Sequence, residues 1–395
     1  FAQRECVTDQ YTDQLKAIDP SLAIKLNDVE IFIRNQNFAA RTIGGEGSFI
    51  IKIPVVVHVL YNKDNQNISE EQIKSQIEAL NRDFARKNSD SSNTPERFKS
   101  LAASVPIQFE LATADPKGRA TNGIVRKKTH VKYFGMDDKI KFSSQGGDDA
   151  WDSRSYLNLW VGDLGTALGY ASVPGAPAEK DGIVVNYSAF GSINIGGAYN
   201  LGRTVVHEVG HWLGLKHMWG DAYCGDDLVE DTPKQGNFTS GCPTTFRSSC
   251  NNGSLGDMYM NYMDYTNDAC MNLFTKGQAQ RIMSLFNEGG TRYSLLLTKG
   301  LNKPWTAEAP VEVVANTNFK IYPNPTHDEI VLNFEYSDDW LGKSIFVVNI
   351  NGAVVSRIQI SSKMQRINLS QLKAGIYFIQ GENGEEKIGE KFIKL

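Results

Sequence analysis

The chain has 395 residues, 45 of them acidic and 41 basic, for a formal net charge of −4. That length argues for two or three folded units, the near-even charge offers no basic stripe for nucleic acid, and no apolar run approaches the roughly 18 residues of a membrane span. The opening FAQREC fits either the tail of a signal peptide ahead of a cleavage site or an arbitrary start.

In chain order, the first element is a polar segment carrying Cys6, followed by a helical stretch from Tyr11 to Gln36. NFAARTIGG at 37–45 is small, polar and glycine-rich, the composition of a boundary. FIIKIPVVVHVLY at 49–61 predicts a strand. SEEQIKSQIEALNRDFARKN at 69–88 predicts an amphipathic helix, with Ile73, Ile77, Leu80 and Phe84 at 3–4 spacing and Ser69 as N-cap. Strands are expected at 107–113, 156–162 and 182–187, with a helix beginning near Leu201. Between two of them, ALGYASVPG at 167–175 is expected to hold an edge strand. The backbone of Gly169, Tyr170 and Ala171 would there pair with an extended peptide. This order implies an α/β unit, a mixed twisted sheet covered by helices.

The helix then carries HEVGHWLGLKH at 207–217. Residues four apart share a helix face, so His207 and His211 can present two nitrogens to one ion, with Glu208 beside them as a general base that does not ligate. Gly214 can take the left-handed conformation that ends a helix, which brings His217 back as a third ligand. Three protein ligands with a fourth position open is the pattern of catalytic zinc. The chain has only six histidines, which makes this spacing hard to reach by chance.

Regular structure then becomes scarce until a helix near 275–287. CGDDLVEDTPKQ at 224–235 is oxygen-rich and turn-prone, chemistry suited to calcium although not an EF-hand loop. Cys224, Cys242, Cys250 and Cys270 cluster in this loop-rich region, which suggests disulfides in an oxidising compartment and allows three pairings. Cys6 is left over, as an intermolecular linker or a reactive thiol. Residues 301–317 have linker composition. Beyond them alternating runs at 329–334, 344–350 and 366–369, an Asn351-Gly352 turn and the closing GIYFIQ and KFIKL predict a small all-β sandwich over 318–395.

The long motif at 207–217, with MNYMDY at 260–265 as a methionine turn, resembles the metzincin metallopeptidases, and NYMDY followed by TNDACM resembles their pappalysin family. The resemblance implies Met263 as the turn methionine and Tyr265 as a phenol that hydrogen-bonds the developing oxyanion. It implies an irregular lower half of the catalytic domain, disulfides Cys224–Cys250 and Cys242–Cys270, and a structural calcium held by Asp227, the Val229 carbonyl, Asp231 and Thr232. It also implies Asp268 at the floor of the S1′ pocket, selecting Arg, then Lys, at P1′. Residues 1–40 become a pro-segment whose Cys6 thiolate takes the fourth zinc position, with self-cleavage between Ala40 and Arg41 freeing a catalytic domain at 41–300. FKIYPNP, GKSIFVVNINGAVV, LKAGIYFI and EKFIKL resemble the type IX secretion sorting domain of Bacteroidetes.

Together these readings imply a zinc endopeptidase made as a zymogen. It would be exported to the medium or cell surface of a Gram-negative bacterium, with peptide substrates and the secretion machinery as partners. The competing reading is an inert surface protein that binds through its C-terminal sandwich; an intact Glu208 argues against it, since a ligand-only site needs no base.

Overall fold

The computed structural model describes residues 6–36, 50–304, 319–334, 340–349, 353–382 and 387–395. The chain divides into two compact units, Phe1–Glu308 and Ala309–Leu395. The expected Ala40–Arg41 cleavage point, most of the linker and the Asn351-Gly352 turn lie outside the described residues.

The N-terminal helical stretch is two helices, α1 (Thr8–Ile18) and α2 (Ser21–Arg34). The break falls at Asp19-Pro20, where the residue before proline is extended. Strand β1 (Ile51–Tyr61) is followed by α3 (Glu70–Phe84), β2 (Ile107–Leu111), β3 (Ile124–Lys128), β4 (Leu157–Gly162), β5 (Gly169–Ala171), β6 (Ile183–Asn186) and α4 (Arg203–Trp212). β1 pairs in parallel with β2 along its first half, β3 along its second, and β4 on its other side. β6 joins β4 in parallel, and β5 closes the sheet as an antiparallel edge. Such a sheet is covered on both faces, which explains why β1 reads as an almost unbroken apolar run. β3 escaped the sequence reading because IVRKK is half-exposed and charged.

Ser69 caps α3 by accepting from the Gln72 amide at 3.2 Å. Ile73, Leu80 and Phe84 of α3 and Val205, Val206 and Val209 of α4 share one core with Val55, Val57, Leu159 and Val185 of the sheet. On the opposite face Leu60, Trp160, Tyr170 and Val184 pack with Phe134, Ile140 and four residues of the N-terminal segment, Val7, Tyr11, Leu15 and Leu22. That segment is therefore built into the hydrophobic structure of the first unit.

The start of α4 is fixed by charge. Arg203, 2% exposed, donates to Asp83 Oδ2 at 3.1 Å and to both Asp90 oxygens at 2.6 and 2.8 Å. Gln76 of α3 donates to the Gly202 carbonyl at 3.0 Å. After α4 the chain is irregular until α5 (Lys276–Ser284), and it is tied by the disulfides Cys224–Cys250 and Cys242–Cys270, with Cα separations of 5.6 and 5.7 Å.

In the second unit, β7 (Lys320–Tyr322), β8 (Glu329–Asn333), β9 (Ser344–Asn349), β10 (Val354–Gln359), β11 (Met364–Asn368), β12 (Gly375–Glu382) and β13 (Lys387–Lys394) form two antiparallel sheets, ordered β11-β8-β7 and β10-β9-β12-β13. Ile330 and Leu332 from one sheet and Ile345, Val347, Ile379 and Phe392 from the other share a core with Trp340. Trp340 is 1% exposed, so its ring belongs to this core and not to the surface.

Candidate metal centre and cleft

The three histidines converge as their spacing requires. The Nε2 of His211 lies 3.1 Å from that of His207 and 3.0 Å from that of His217. Each ring is oriented through its other nitrogen. His207 Nδ1 donates to the Tyr262 carbonyl at 2.7 Å and His211 Nδ1 to the Leu215 carbonyl at 2.9 Å. A carbonyl can only accept, so both Nδ1 atoms carry the proton and both Nε2 atoms present a lone pair. His217 Nδ1 faces two carboxylates, Asp221 at 2.7 Å and Asp9 at 3.0 Å. Gly214, with φ 82°, makes the reversal that returns His217 to the helix.

Cys6 completes the group. Its Sγ and one nitrogen from each of His207, His211 and His217 all lie within 4.8 Å of one another, and all four residues are buried. Burial, reinforced by Glu208, pushes the Cys6 thiol up to about 11, while burial and the neighbouring His217 push His211 down to about 3. Two imidazoles that each keep their proton on Nδ1 and aim Nε2 at one point, with a third imidazole and a thiol beside them, fit a divalent ion such as zinc. A cysteine exposed at the surface is thereby ruled out for Cys6, which is 5% exposed.

Glu208, 1% exposed, lies on the cleft side of the helix, its Oε2 accepting from Thr8 Oγ1 at 3.0 Å and from Cys6 Sγ at 3.5 Å. The N-terminal segment lies along β5: Val7 donates to the Gly169 carbonyl at 3.2 Å, and the Ala171 amide donates to Thr8 Oγ1 at 2.9 Å. Cys6 pairs with Gly169 in a parallel sense. Across the cleft the Tyr265 hydroxyl donates to the Cys6 carbonyl at 2.9 Å. Burial, then Cys6, holds that phenol well above its ordinary range, so it stays a donor.

Met263 lies beneath the helix. A Cβ added at Gly210 would meet Met263 Sδ at 2.4 Å, so an alanine there would force this methionine to shift. Asn261 Oδ1 accepts from the Met263 amide at 2.9 Å, and the Met263 carbonyl accepts from Met218 just after His217.

The remaining expected residues sit as follows. Thr232 Oγ1 lies 2.9 and 2.8 Å from the Asp227 oxygens and donates to the Val229 carbonyl at 2.8 Å, so these three residues gather their oxygens. Burial pushes the Asp227 carboxyl up to about 7. The Asp231 oxygens accept from Thr275 Oγ1 and the Gly277 amide at the start of α5. Asp268 is fully buried, and its Oδ2 accepts from the Leu201 and Arg203 amides at 2.8 and 3.2 Å, bracing the entry to α4.

Thr8, Asp9 and Asp221 were not anticipated. Asp221 had a legible signal, a carboxylate four residues past a ligand histidine. Thr8 and Asp9 had none, being about 200 residues from the groups they touch. The close approach at Gly210 gives a direct test. Gly210→Ala should overpack the helix against Met263, lower stability by about 1–3 kcal/mol and reduce the metal retained after dialysis, read by thermal unfolding and elemental analysis. Unchanged metal content would show that Met263 does not support the ligands.

Residues 141–287 match the family model described as Pregnancy-associated plasma protein-A, and residues 320–395 match that of the Secretion system C-terminal sorting domain. An extracellular metalloprotease from Arthroderma benhamiae is 32% identical over 240 residues, covering 59% of this chain and 76% of that protein. The chain spans about half the length of other curated extracellular metalloproteases that it matches. Among solved structures, mature mirolysin of Tannerella forsythia in complex with a cleaved peptide is 50% identical, covering 63% of this chain and 97% of that one, with a TM-score of 0.62. A promirolysin mutant from the same organism is 44% identical, covers 74% of this chain and 97% of that one, and has a TM-score of 0.68. These matches make this chain a member of the pappalysin family of metalloproteases, and it carries a C-terminal secretion sorting domain.

Proposed function

We propose that this chain is a secreted zinc endopeptidase made as a zymogen. The observation that carries the reading is the convergence of three oriented imidazoles, Glu208 and Cys6 on one buried point beside the sheet edge. His207, His211 and His217 would hold the zinc, and Cys6 would be its fourth ligand before processing. When bound, zinc supplies Lewis-acid chemistry, polarising the scissile carbonyl and acidifying a water. Glu208 would accept a proton from the attacking water and return it to the leaving amine. Tyr265 donates to the carbonyl oxygen as negative charge develops, as it now does to the Cys6 carbonyl. The free edge of β5, at Gly169, Tyr170 and Ala171, aligns the peptide backbone once the pro-segment has left.

Specificity for Arg, then Lys, at P1′ follows from the resemblance at Asp268, a carboxylate held rigid by two backbone amides. In a peptide library presented to the processed protein, cleavage should fall N-terminal to Arg. It should stop with chelator and drop about 10²–10⁴-fold in Glu208→Ala. An Asp268→Ala protein that stays folded should lose the preference for Arg over Leu; retaining it would remove Asp268 from specificity, and chelator-insensitive cleavage would contradict the metal site.

Release of the pro-segment follows from self-cleavage between Ala40 and Arg41, since Arg41 matches this specificity. N-terminal sequencing of the matured protein should begin at Arg41, and Cys6→Ala should mature faster than the parent chain. A start elsewhere, or an unchanged rate, would count against the respective step.

Calcium is assigned to the oxygens of Asp227, the Val229 carbonyl, Asp231 and Thr232, with Asp231 also accepting from Thr275 and the Gly277 amide of α5. Calcium should raise the melting temperature of the parent chain and not that of Asp227→Asn. An equal rise in both would place the ion elsewhere. Export to the cell surface or medium rests on the sorting domain at 320–395.

A further inference from the structure

We propose that departure of the pro-segment uncovers a second recognition pocket, specific for a tyrosine side chain of the substrate, in the seat now filled by Tyr11. The inference rests on the zymogen reading above.

Tyr11, on α1, is completely buried. Its ring lies 4.7 Å from that of Tyr170, the middle residue of the edge strand β5, and the Lys141 ammonium lies 4.6 Å from its centroid. Its hydroxyl donates to Asp138 Oδ1 at 2.7 Å and accepts from Lys141 Nζ at 2.9 Å. The phenol is thus read on its face, as donor and as acceptor.

The catalytic unit builds this floor without help from the pro-segment. Lys141 Nζ donates to the Lys180 carbonyl at 2.9 Å and pairs with Asp138 at 3.1 Å, and Lys180 Nζ pairs with the other Asp138 oxygen at 2.9 Å. The Lys141 and Asp138 side chains are 0% and 5% exposed. These exposures hold with Tyr11 seated, so a phenyl ring in its place would deprive Asp138 and Lys141 of the hydroxyl partner that each now has, whereas an open seat fills with water. A site that bonds a hydroxyl in this way discriminates strongly against the analogue lacking it.

Position makes a substrate the occupant. On either side of Tyr170, the Gly169 carbonyl and Ala171 amide face the cleft, where Val7 and Thr8 now occupy them. The pro-segment lies on this edge at Cys6–Thr8 and there turns into α1, which puts Tyr11 in the seat, so the seat opens beside the edge on which a substrate backbone would lie.

Two measurements test the pocket. In the full chain, Tyr11→Gly should be stabilised by p-cresol and not by toluene, read as a shift in melting temperature, and adding Lys141→Met should remove the difference. Equal response to the two compounds would overturn the pocket's chemistry. With the processed protein and no mutation, quenched peptides with a fixed Arg at P1′ and Tyr or Phe moved along the remaining positions should show one register at which Tyr raises kcat/KM about tenfold over Phe. Equal rates at every register would overturn its role in substrate recognition. If no peptide is cleaved at all, the peptidase reading falls, and the pocket is judged by the p-cresol comparison.

Discussion

The structure depends on keeping three imidazole lone pairs aimed at one point inside a dry region of protein. Rings packed this closely gain little from one another; a shared cation repays their burial. Their orientation is fixed by hydrogen bonds on the far side, from His207 to the Tyr262 carbonyl, from His211 to the Leu215 carbonyl and from His217 to Asp221. Those acceptors belong to the methionine-turn segment and to the irregular chain after the helix. The lower half, poor in regular structure, is therefore the mould that sets the rings, and two disulfides hold it in place.

The N-terminal segment meets each part of this apparatus at once. Cys6 approaches the ligand cluster, Thr8 bonds to Glu208, Asp9 joins Asp221 on His217, and the backbone occupies the sheet edge. Tyr265 already donates to a carbonyl, that of Cys6, which is the kind of group that it would meet in a substrate. Latency on this account is distributed over several contacts, with Tyr11 and Leu15 adding apolar burial on the opposite face of the sheet. A pro-segment attached in this way leaves a surface already shaped for a chain to lie on.

How much was legible follows from how local each feature is. His207, Glu208, His211, Gly214 and His217 are set by helix periodicity and one turn, so their spacing alone located them. The strands of the sheet were legible where both faces are buried, as in β1, and lost where charge interrupts the pattern, as in β3. The stretch from Tyr11 to Gln36 reads as one helical segment in sequence, and Asp19-Pro20 divides it into two helices. Contacts between distant segments left no trace in the linear pattern: Thr8 with Glu208, Asp9 with His217, and Tyr11 with Asp138 and Lys141. Asp268 shows the limit of motif reading: the motif singles out the residue, and its bonds to the Leu201 and Arg203 amides leave no sign in the linear pattern.

The central claim concerns the donor set at the buried cluster before and after processing. X-ray absorption at the zinc edge tests it most directly. The full chain should contain one zinc with three nitrogen neighbours and one sulfur, and the processed form should keep the nitrogens with oxygen in place of sulfur. Absence of zinc in the folded full chain, or a spectrum without sulfur, would contradict the account.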